Sequence, residues 1–217
     1  MNNSDEKEEA LTRELLAAIE AESEVTQRTL ARRLGVALGL TNSYLKRCVR
    51  KGWVKVRQVP PNRYLYYLTP QGFSEKSRLT GRYLASSLAF YRRAGDSCRR
   101  AFDTARASGW RELVLCGASD LAEIACLHAD GRGVHVLGVF DPQAARERVA
   151  GHTVWRSPEL VPPHDGWLLT ALDDPAAALE RFGEALAPER GVVPDILGVR
   201  PMDGMQLGTG PRAEVTN

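Results

Sequence analysis

Residues 29–57, TLARRLGVALGLTNSYLKRCVRKGWVKVR, decide the fold of the first half of this chain. Thr26 lies just before them and is a good N-cap for a helix with Leu30 on its buried side. Gly35 follows the last helical position, where a glycine commonly ends a helix. A second helical pattern begins after this turn and runs to about Lys51. The stretch therefore predicts two short helices joined by a tight turn.

The flanking sequence extends this unit on both sides. Before it, apolar residues between positions 11 and 19 recur at helical spacing and predict a helix over about residues 8–21. After it, residues 53–59 and 64–69 predict two short strands. The prolines and the arginine between the strands predict a hairpin with a basic tip. A helix–turn–helix with an appended hairpin is a winged helix–turn–helix.

Three motifs in this unit are specific: L-A-R-x-L-G at residues 30–35, K-G-W-V at 51–54 and L-T-P-x-G at 68–72. Together with YLYYLTPQGFSEKSRLTGRYL at 64–84, they make the chain resemble the MarR-like winged-helix regulators. The resemblance is closest to the branch associated with exopolysaccharide operons and covers about residues 10–95. It implies a winged-helix fold and binding to double-stranded DNA, but no particular operator.

The charge distribution agrees with a polyanionic partner. Residues 1–110 contain 20 Lys and Arg against 11 Asp and Glu, whereas the rest of the chain contains 9 against 16. Residues 26–82 contain 13 basic residues and one acid, Glu75. The net charge of +2 thus hides a basic half and an acidic half. Such asymmetry predicts two domains, the first of which faces nucleic acid.

The second helix of a helix–turn–helix enters the major groove, so its outward polar side chains are candidate base readers. Its inward positions are Leu38, Thr41, Leu45, Cys48 and Val49. The outward side chains that we predict to read bases are Asn42, Ser43, Lys46, Arg47 and Arg50. The phosphate contacts that we predict on the preceding helix and the wing base are Arg28, Arg32, Arg33, Lys55 and Arg57. Arg63 at the wing tip would enter the minor groove. The alternative is a solvated basic face.

A long helical pattern follows from Pro70 and ends near Ser108. Its apolar or small positions are spaced alternately by four and three residues, as in a coiled-coil seam. The seam positions are Leu84, Leu88, Tyr91, Gly95, Cys98, Phe102 and Ala105. A helix of this length predicts pairing with a second copy, a homodimer. On that seam Cys98 either fills a layer of the interface or pairs with its mate and reports oxidation.

The second half alternates strands and helices, which predicts a parallel sheet with crossover helices. The predicted strands are residues 112–116, 134–140, 152–155 and 166–172, and the predicted helices are 120–129, 143–149 and 175–186. About 90 residues in this pattern predict a small Rossmann-like domain. Residues from Pro201 onward lack periodicity and predict a tail.

A degraded dinucleotide fingerprint lies in this half. Gly117 and Ser119 follow the first strand, with serine in place of the second glycine, and Asp120 puts negative charge where a phosphate would bind. Asp141 ends the second strand 24 residues after Gly117, where a ribose-binding acid lies in such folds. The segment resembles the Rossmann-like domains of redox-sensing repressors and of sugar-nucleotide-modifying enzymes. We predict a nucleotide-like ligand on Gly117, Ser119, Asp120 and Asp141, with a ligand-free dimerisation domain as the alternative.

Several classes of site are not indicated. The four cysteines show no CxxC spacing, and Cys126-x-His128 has no second pair, so we predict no metal site. No P-loop or nucleophile elbow occurs, and we predict that the chain is not an enzyme. The acidic N-terminus and the absence of a long apolar run predict a cytoplasmic protein without a membrane span.

These predictions combine into one hypothesis. The chain is an α/β protein with a winged helix–turn–helix at residues 1–70, a long dimerisation helix at 71–108, a Rossmann-like domain at 109–200 and a flexible tail at 201–217. It is a dimeric, sequence-specific transcription regulator whose C-terminal domain senses a small ligand or aids dimerisation. One alternative is an enzyme of the sugar-nucleotide type with an accessory DNA-binding module. Another is an architectural DNA binder whose C-terminal domain recruits protein partners. The cofactor is unknown.

Overall fold

The computed structural model of the chain describes residues 3–22, 25–59, 63–129 and 131–209, without the side chains of residues 3, 4, 6, 59 and 63. The chain divides into two compact units, Met1–Leu88 and Ala89–Asn217.

The first unit has the element order of a winged helix–turn–helix, as the sequence predicts. Its elements are α1 (Asn3–Ala21), α2 (Gln27–Leu34), α3 (Leu38–Arg50), β1 (Val54–Val59), β2 (Arg63–Leu68) and the beginning of α4 (Pro70–Ala107). β1 and β2 pair as an antiparallel hairpin. The side chain of Thr26 accepts a hydrogen bond from the backbone N–H of Thr29, and Gly35 ends α2 in the left-handed conformation. The local signals at both ends of α2 therefore act as expected.

The core of the first unit forms between α1, α2, α3 and the hairpin. Its fully buried members include Leu15, Leu16 and Leu30. On α3, Thr41, Leu45 and Cys48 face this core. Three other apolar residues of α3 do not: the exposed fractions of Leu38, Leu40 and Val49 are 41%, 44% and 38%. The inward predictions for Leu38 and Val49 are therefore wrong. Leu38 is the first residue of α3 and lies beyond the packed turns, and Val49 lines a groove between α3 and the wing.

The L-T-P-x-G motif has a structural role at the start of α4. Thr69 Oγ1 accepts a hydrogen bond from the backbone N–H of Gly72 and donates to the carbonyl of Gly52 at 2.6 Å. A Cβ atom on Gly72 would lie 2.0 Å from the carbonyl oxygen of Trp53. Pro70 fits the first turn, where its missing N–H is not needed. The motif thus caps α4 and lets its first turn pack directly against the wing backbone.

The long helix α4 has 38 residues, which corresponds to a length of about 57 Å. The seam that we predict on it divides into two parts. Leu84, Leu88 and Tyr91 are exposed, with exposed fractions of 53%, 55% and 40%. The later positions, including Cys98 and Phe102, are completely buried in the core of the second unit. The prediction of one continuous dimer seam is therefore wrong for its second half, because that half covers the sheet of its own chain.

The position of Cys98 changes its chemistry. Its side chain has no exposed surface, and this burial raises the pKa of the thiol to about 12. The thiol is therefore protonated at neutral pH and enclosed by its own domain. The hypothesis that Cys98 pairs with a second copy on the dimer seam is wrong.

The second unit is a parallel sheet with helices packed against it. After α4, its elements are β3 (Glu112–Cys116), α5 (Asp120–Ala129), β4 (His135–Phe140), β5 (Arg148–Val149), β6 (His152–Trp155), β7 (Gly166–Leu169), α6 (Pro175–Leu186), β8 (Gly191–Pro194) and β9 (Gln206–Gly208). Within the described residues the strand order is β5-β6-β4-β3-β7-β8-β9. All neighbours pair in parallel except β5 and β6. The six parallel strands thus have the 3-2-1-4-5-6 order of dinucleotide-binding folds.

The sheet is larger than the sequence predicts. Residues 191–194 and 206–208 form strands that were not predicted, and 206–208 were placed in a tail. Both are very short, so they show little periodicity, and pairing with neighbouring strands defines them. The helix predicted at 143–149 is also wrong. Its last two residues are β5, held by the antiparallel partner β6.

Candidate nucleic-acid interface and ligand site

The outward face of α3 exposes basic side chains. Ser43, Lys46 and Arg50 are exposed and lie one and two turns apart, while Asn42 and Arg47 are half-buried. Ser43 Oγ donates to the carbonyl of Gly39 at 3.0 Å. Neither Lys46 nor Arg50 has an ion-pair partner among the described residues. Their charges are therefore available to a polyanion.

Arg47 differs from its neighbours on α3. Its guanidinium forms an ion pair with the carboxylate of Glu8 on α1. The exposed fractions of the two side chains are 38% and 36%. Arg47 therefore lies at the edge of the outward face and is held by the first helix.

A groove separates α3 from the wing. Its volume is about 340 Å³, and Lys46, Val49 and Arg50 line it from α3. Val56 and Tyr64 line it from the wing. The groove thus places Lys46 and Arg50 opposite an apolar strand face.

The basic residues of the wing strand β1 lie on the face of the hairpin that points away from the groove. In the register of β1 and β2, Lys55 pairs with Tyr67 and Arg57 pairs with Leu65. Alternate residues of a strand point to opposite faces, so Lys55 and Arg57 lie on the face opposite Val56. Both are exposed. The structure therefore does not bring them together with Lys46 and Arg50.

The remaining predicted DNA contacts are on α2 and at the wing tip. Arg28, Arg32 and Arg33 are exposed. Arg32 and Arg33 lie in the last turn of α2, where their positive charges also interact favourably with the helix dipole. Arg63 begins β2, but its side chain lies outside the described part of the chain.

In the second unit, the turn after β3 lies where the strand order reverses, between β3 and β7. Ligands of open parallel sheets bind beyond the carboxyl ends of the strands at this point. Gly117 begins the turn with φ of +113°, a conformation that favours glycine. A Cβ atom there would lie 2.5 Å from the backbone nitrogen of Ala171, which follows β7. The two turns are therefore in direct contact.

Two hydroxyl groups join these turns. Ser119 Oγ donates to the carbonyl of Thr170 and accepts from the backbone N–H of Leu121 at 3.0 Å, which caps α5. Thr170 Oγ1 donates to the carbonyl of Gly117 at 2.7 Å. Ser119 thus takes the position of the second fingerprint glycine by turning its side chain toward β7.

Asp141 directly follows β4, beside the same turn. Its Oδ2 accepts from the backbone N–H of Ala118, and its Oδ1 accepts from that of Gln143, both at 2.9 Å. Asp120 projects into solvent at the start of α5, 3.6 Å from the guanidinium of Arg146. The structure therefore brings Gly117, Ser119, Asp120 and Asp141 to one edge of the sheet.

Two residues at this edge are absent from the predicted set. Thr170 directly follows β7, so its place after a parallel strand is the signal that identifies it. Arg146 pairs with Glu123 at 2.6 Å as well as with Asp120. No sequence signal marks Arg146, because the loop between β4 and β5 reaches α5 through tertiary packing.

Three other features of the described residues bear on metal binding, thiol reactivity and membrane crossing. Among the described residues, no group of three or more His, Cys, Asp or Glu side chains is placed to hold a metal ion. Burial raises the pKa of the Cys116 thiol, which ends β3 directly before Gly117. No helix within the described ranges is both long enough and apolar enough to cross a membrane.

The comparisons with known proteins agree with the first unit. Residues 8–55 match the family described as winged helix-turn-helix DNA-binding. The N-terminal region is therefore a winged-helix DNA-binding domain, joined to a C-terminal Rossmann-like fold. A comparison with curated proteins gives no match.

Two of the similar solved structures are methyltransferases. One is human N-acetylserotonin methyltransferase in complex with SAM, with 18% identity, coverage of 82% of this chain and 73% of that chain, and a TM-score of 0.28. The other is an O-methyltransferase from neocarzinostatin biosynthesis in complex with S-adenosyl-L-homocysteine. It has 17% identity, coverage of 89% and 82%, and a TM-score of 0.35.

One prediction is corrected. From the missing motifs we predicted that the chain is not an enzyme, and this prediction is wrong. A P-loop and a nucleophile elbow mark particular chemistries, so their absence does not exclude catalysis. The two matches assign no reaction to this chain.

Proposed function

We propose that this chain is a sequence-specific DNA-binding regulator of the MarR-like type. Residues 1–70 bind double-stranded DNA, the exposed middle of the helix at 71–108 dimerises, and residues 109–200 bind a nucleotide-like ligand. The exposed basic face of α3 carries the proposal, since Lys46 and Arg50 have no ion-pair partner among the described residues and belong to the helix that enters the major groove. Lysine and arginine at such positions contact guanine edges or phosphates.

The middle of α4 supports the homodimer. Residues 81–93 of this helix are exposed throughout, although Leu84, Leu88 and Tyr91 recur at spacings of four and three. An apolar stripe on an otherwise polar helix is stable when another surface covers it. A second copy of the same stripe supplies that surface in an antiparallel or parallel pair of helices.

We expect the full chain to be a dimer that selects two half-sites about 10 base pairs apart from a random duplex library. Leu84→Glu with Leu88→Glu should give monomers, because four like charges would meet in the interface. Sedimentation and library selection measure both results. The matched control is Ser86→Glu with Ala89→Glu, which adds the same charge to the opposite exposed face of α4.

Two results would contradict these expectations. An intact dimer in the Leu84→Glu, Leu88→Glu variant would place the interface elsewhere. If the wild type enriched no sequence from the library, sequence-specific DNA binding would be excluded.

The ligand proposal rests on the turn after β3. The strand order reverses there, and Asp141 lies where an acid contacts a ribose in nucleotide-binding folds. Each of its carboxylate oxygens already accepts one backbone N–H and has a further lone pair. Asp141 can therefore hold the turn and accept a ribose hydroxyl at the same time.

Asp141→Ala should lower the free energy of unfolding by about 1–3 kcal/mol, because two backbone donors lose their acceptor. It should also weaken a ribose-containing ligand. Asp120→Ala is the control, since its side chain is 77% exposed and should leave stability unchanged. Urea unfolding and calorimetry with NAD, SAM and a nucleoside-diphosphate sugar measure the two effects. If Asp141→Ala lowers stability and the wild type binds none of these probes, the role of Asp141 is structural only.

A second candidate is an enzyme that acts on a nucleotide-like substrate, with the winged helix as an accessory module. Its substrate would lie at the same carboxyl edge, near Asp141 and Thr170, which the strand reversal favours. Turnover separates the candidates. A bound probe that chromatography recovers unchanged supports the regulator, whereas conversion of SAM or of a sugar nucleotide supports the enzyme.

A further inference from the structure

We propose that Glu8 is a positioning residue for Arg47 and that its carboxylate competes with a DNA phosphate for the Arg47 guanidinium. The inference rests on the proposed DNA binding. Arg47 lies one turn after the exposed Ser43 on α3, at the edge of the outward face. Its ion pair with Glu8 directs the guanidinium toward α1.

The neighbouring ion pairs show why Glu8, and not another nearby carboxylate, acts on α3. A cavity of about 390 Å³ lies between the beginning of α1, the end of α3 and the first turns of α4. Within the part of the chain that the structure describes, Glu9 pairs with Arg82, and Glu75 pairs with Arg78 at 2.7 Å. Both arginines belong to α4. The Glu8 pair is the one described here that engages the DNA-facing helix.

The competition between the two anions is small in energy. Both side chains of the pair are more than one-third exposed. An exposed ion pair changes an equilibrium by up to about five-fold, so Glu8 can hold the guanidinium away from a phosphate without preventing DNA binding. A phosphate offers the guanidinium two acceptor oxygens, and its neutralisation releases counterions. Glu8 should therefore lower DNA affinity at low salt and keep one phosphate contact from forming.

The test is Glu8→Gln, which keeps the shape of the side chain and removes its charge. We expect affinity for the selected duplex and for a random duplex to rise about two- to five-fold at low salt. The slope of log affinity against log salt should steepen by about 0.9, which corresponds to one more phosphate contact. Fluorescence anisotropy over a salt series measures both quantities. A merely structural role would not change the slope.

Glu9→Gln is the matched control, because Glu9 is the neighbouring residue on the same helix and pairs with Arg82 on α4. It should leave affinity and slope unchanged. Arg47→Ala in the Glu8→Gln background should abolish the gain.

The outcomes separate this inference from the proposed function. An unchanged or weaker affinity in Glu8→Gln, or an equal gain in Glu9→Gln, would overturn the role of Glu8 while DNA binding stands. A wild-type chain that binds no duplex at any salt concentration would overturn both.

Discussion

The double variant Lys46→Ala with Arg50→Ala should lower affinity for the selected DNA by about 100-fold or more. A side chain that contacts a base contributes about 1–3 kcal/mol, and the two side chains lie one turn apart on α3. Both are exposed, so their removal leaves no cavity and no buried partner without its bond. The expected loss therefore belongs to binding and not to folding. Anisotropy titrations against selected and random duplexes measure it.

The control removes the same charge from another surface. Arg92 and Arg93 are exposed on α4, outside the winged helix. Arg92→Ala with Arg93→Ala should weaken both duplexes by less than the α3 variant weakens the selected one. Equal losses on selected and random DNA in the α3 variant would reduce Lys46 and Arg50 to phosphate contacts. An unchanged affinity would remove α3 from the interface.

Gly117→Ala should lower the free energy of unfolding of the second unit by about 2–6 kcal/mol. A φ of +113° strains any residue with a Cβ atom by about 1–3 kcal/mol. The new atom would also lie 2.5 Å from the nitrogen and 2.6 Å from the Cα of Ala171. Both are backbone atoms, so the turn after β7 would have to shift, which adds about 1–3 kcal/mol.

Gly109→Ala separates the two contributions. Gly109 has φ of +82°, but a Cβ atom there would meet nothing within 4 Å. It should cost about 1–3 kcal/mol, the backbone part alone. Urea unfolding in a Trp53→Phe background reports the second unit, because its tryptophans are Trp110, Trp155 and Trp167. Equal losses at the two glycines would show that the turns after β3 and β7 are not tightly packed.

The sequence predicts the first unit well because its signals are local. The helix α2 begins at the Thr26 cap and ends at Gly35, and the inward positions Thr41, Leu45 and Cys48 follow from helical period alone. A cap, a turn and a period need no distant partner. The L-T-P-x-G motif is likewise visible, although its reason, the contact of Gly72 with the backbone of Trp53, appears in the structure.

The candidate sites are predicted in part. Gly117 and Asp141 were identified because a strand, a glycine turn and an acid at the end of the next strand have a recognisable spacing. Thr170 was not, since its hydroxyl reaches Gly117 across 53 positions of sequence. Similarly, α3 was identified as the basic helix, but its spacing gives Arg47 the same outward role as Lys46 and Arg50. The ion pair with Glu8 is a contact between separate helices, and it distinguishes Arg47.

Sequence by itself determined the winged helix–turn–helix, the long helix and the parallel character of the second half, because period, caps and charge are properties of short segments. Tertiary structure alone decided the rest. It placed the second half of α4, with Cys98 and Phe102, in the core of its own domain, and it made strands of residues 191–194 and 206–208. An apolar seam on a helix is the same whether a second copy or the chain's own sheet covers it. Burial is decided by which surface packs against the seam in the folded protein, and a local pattern does not contain that surface.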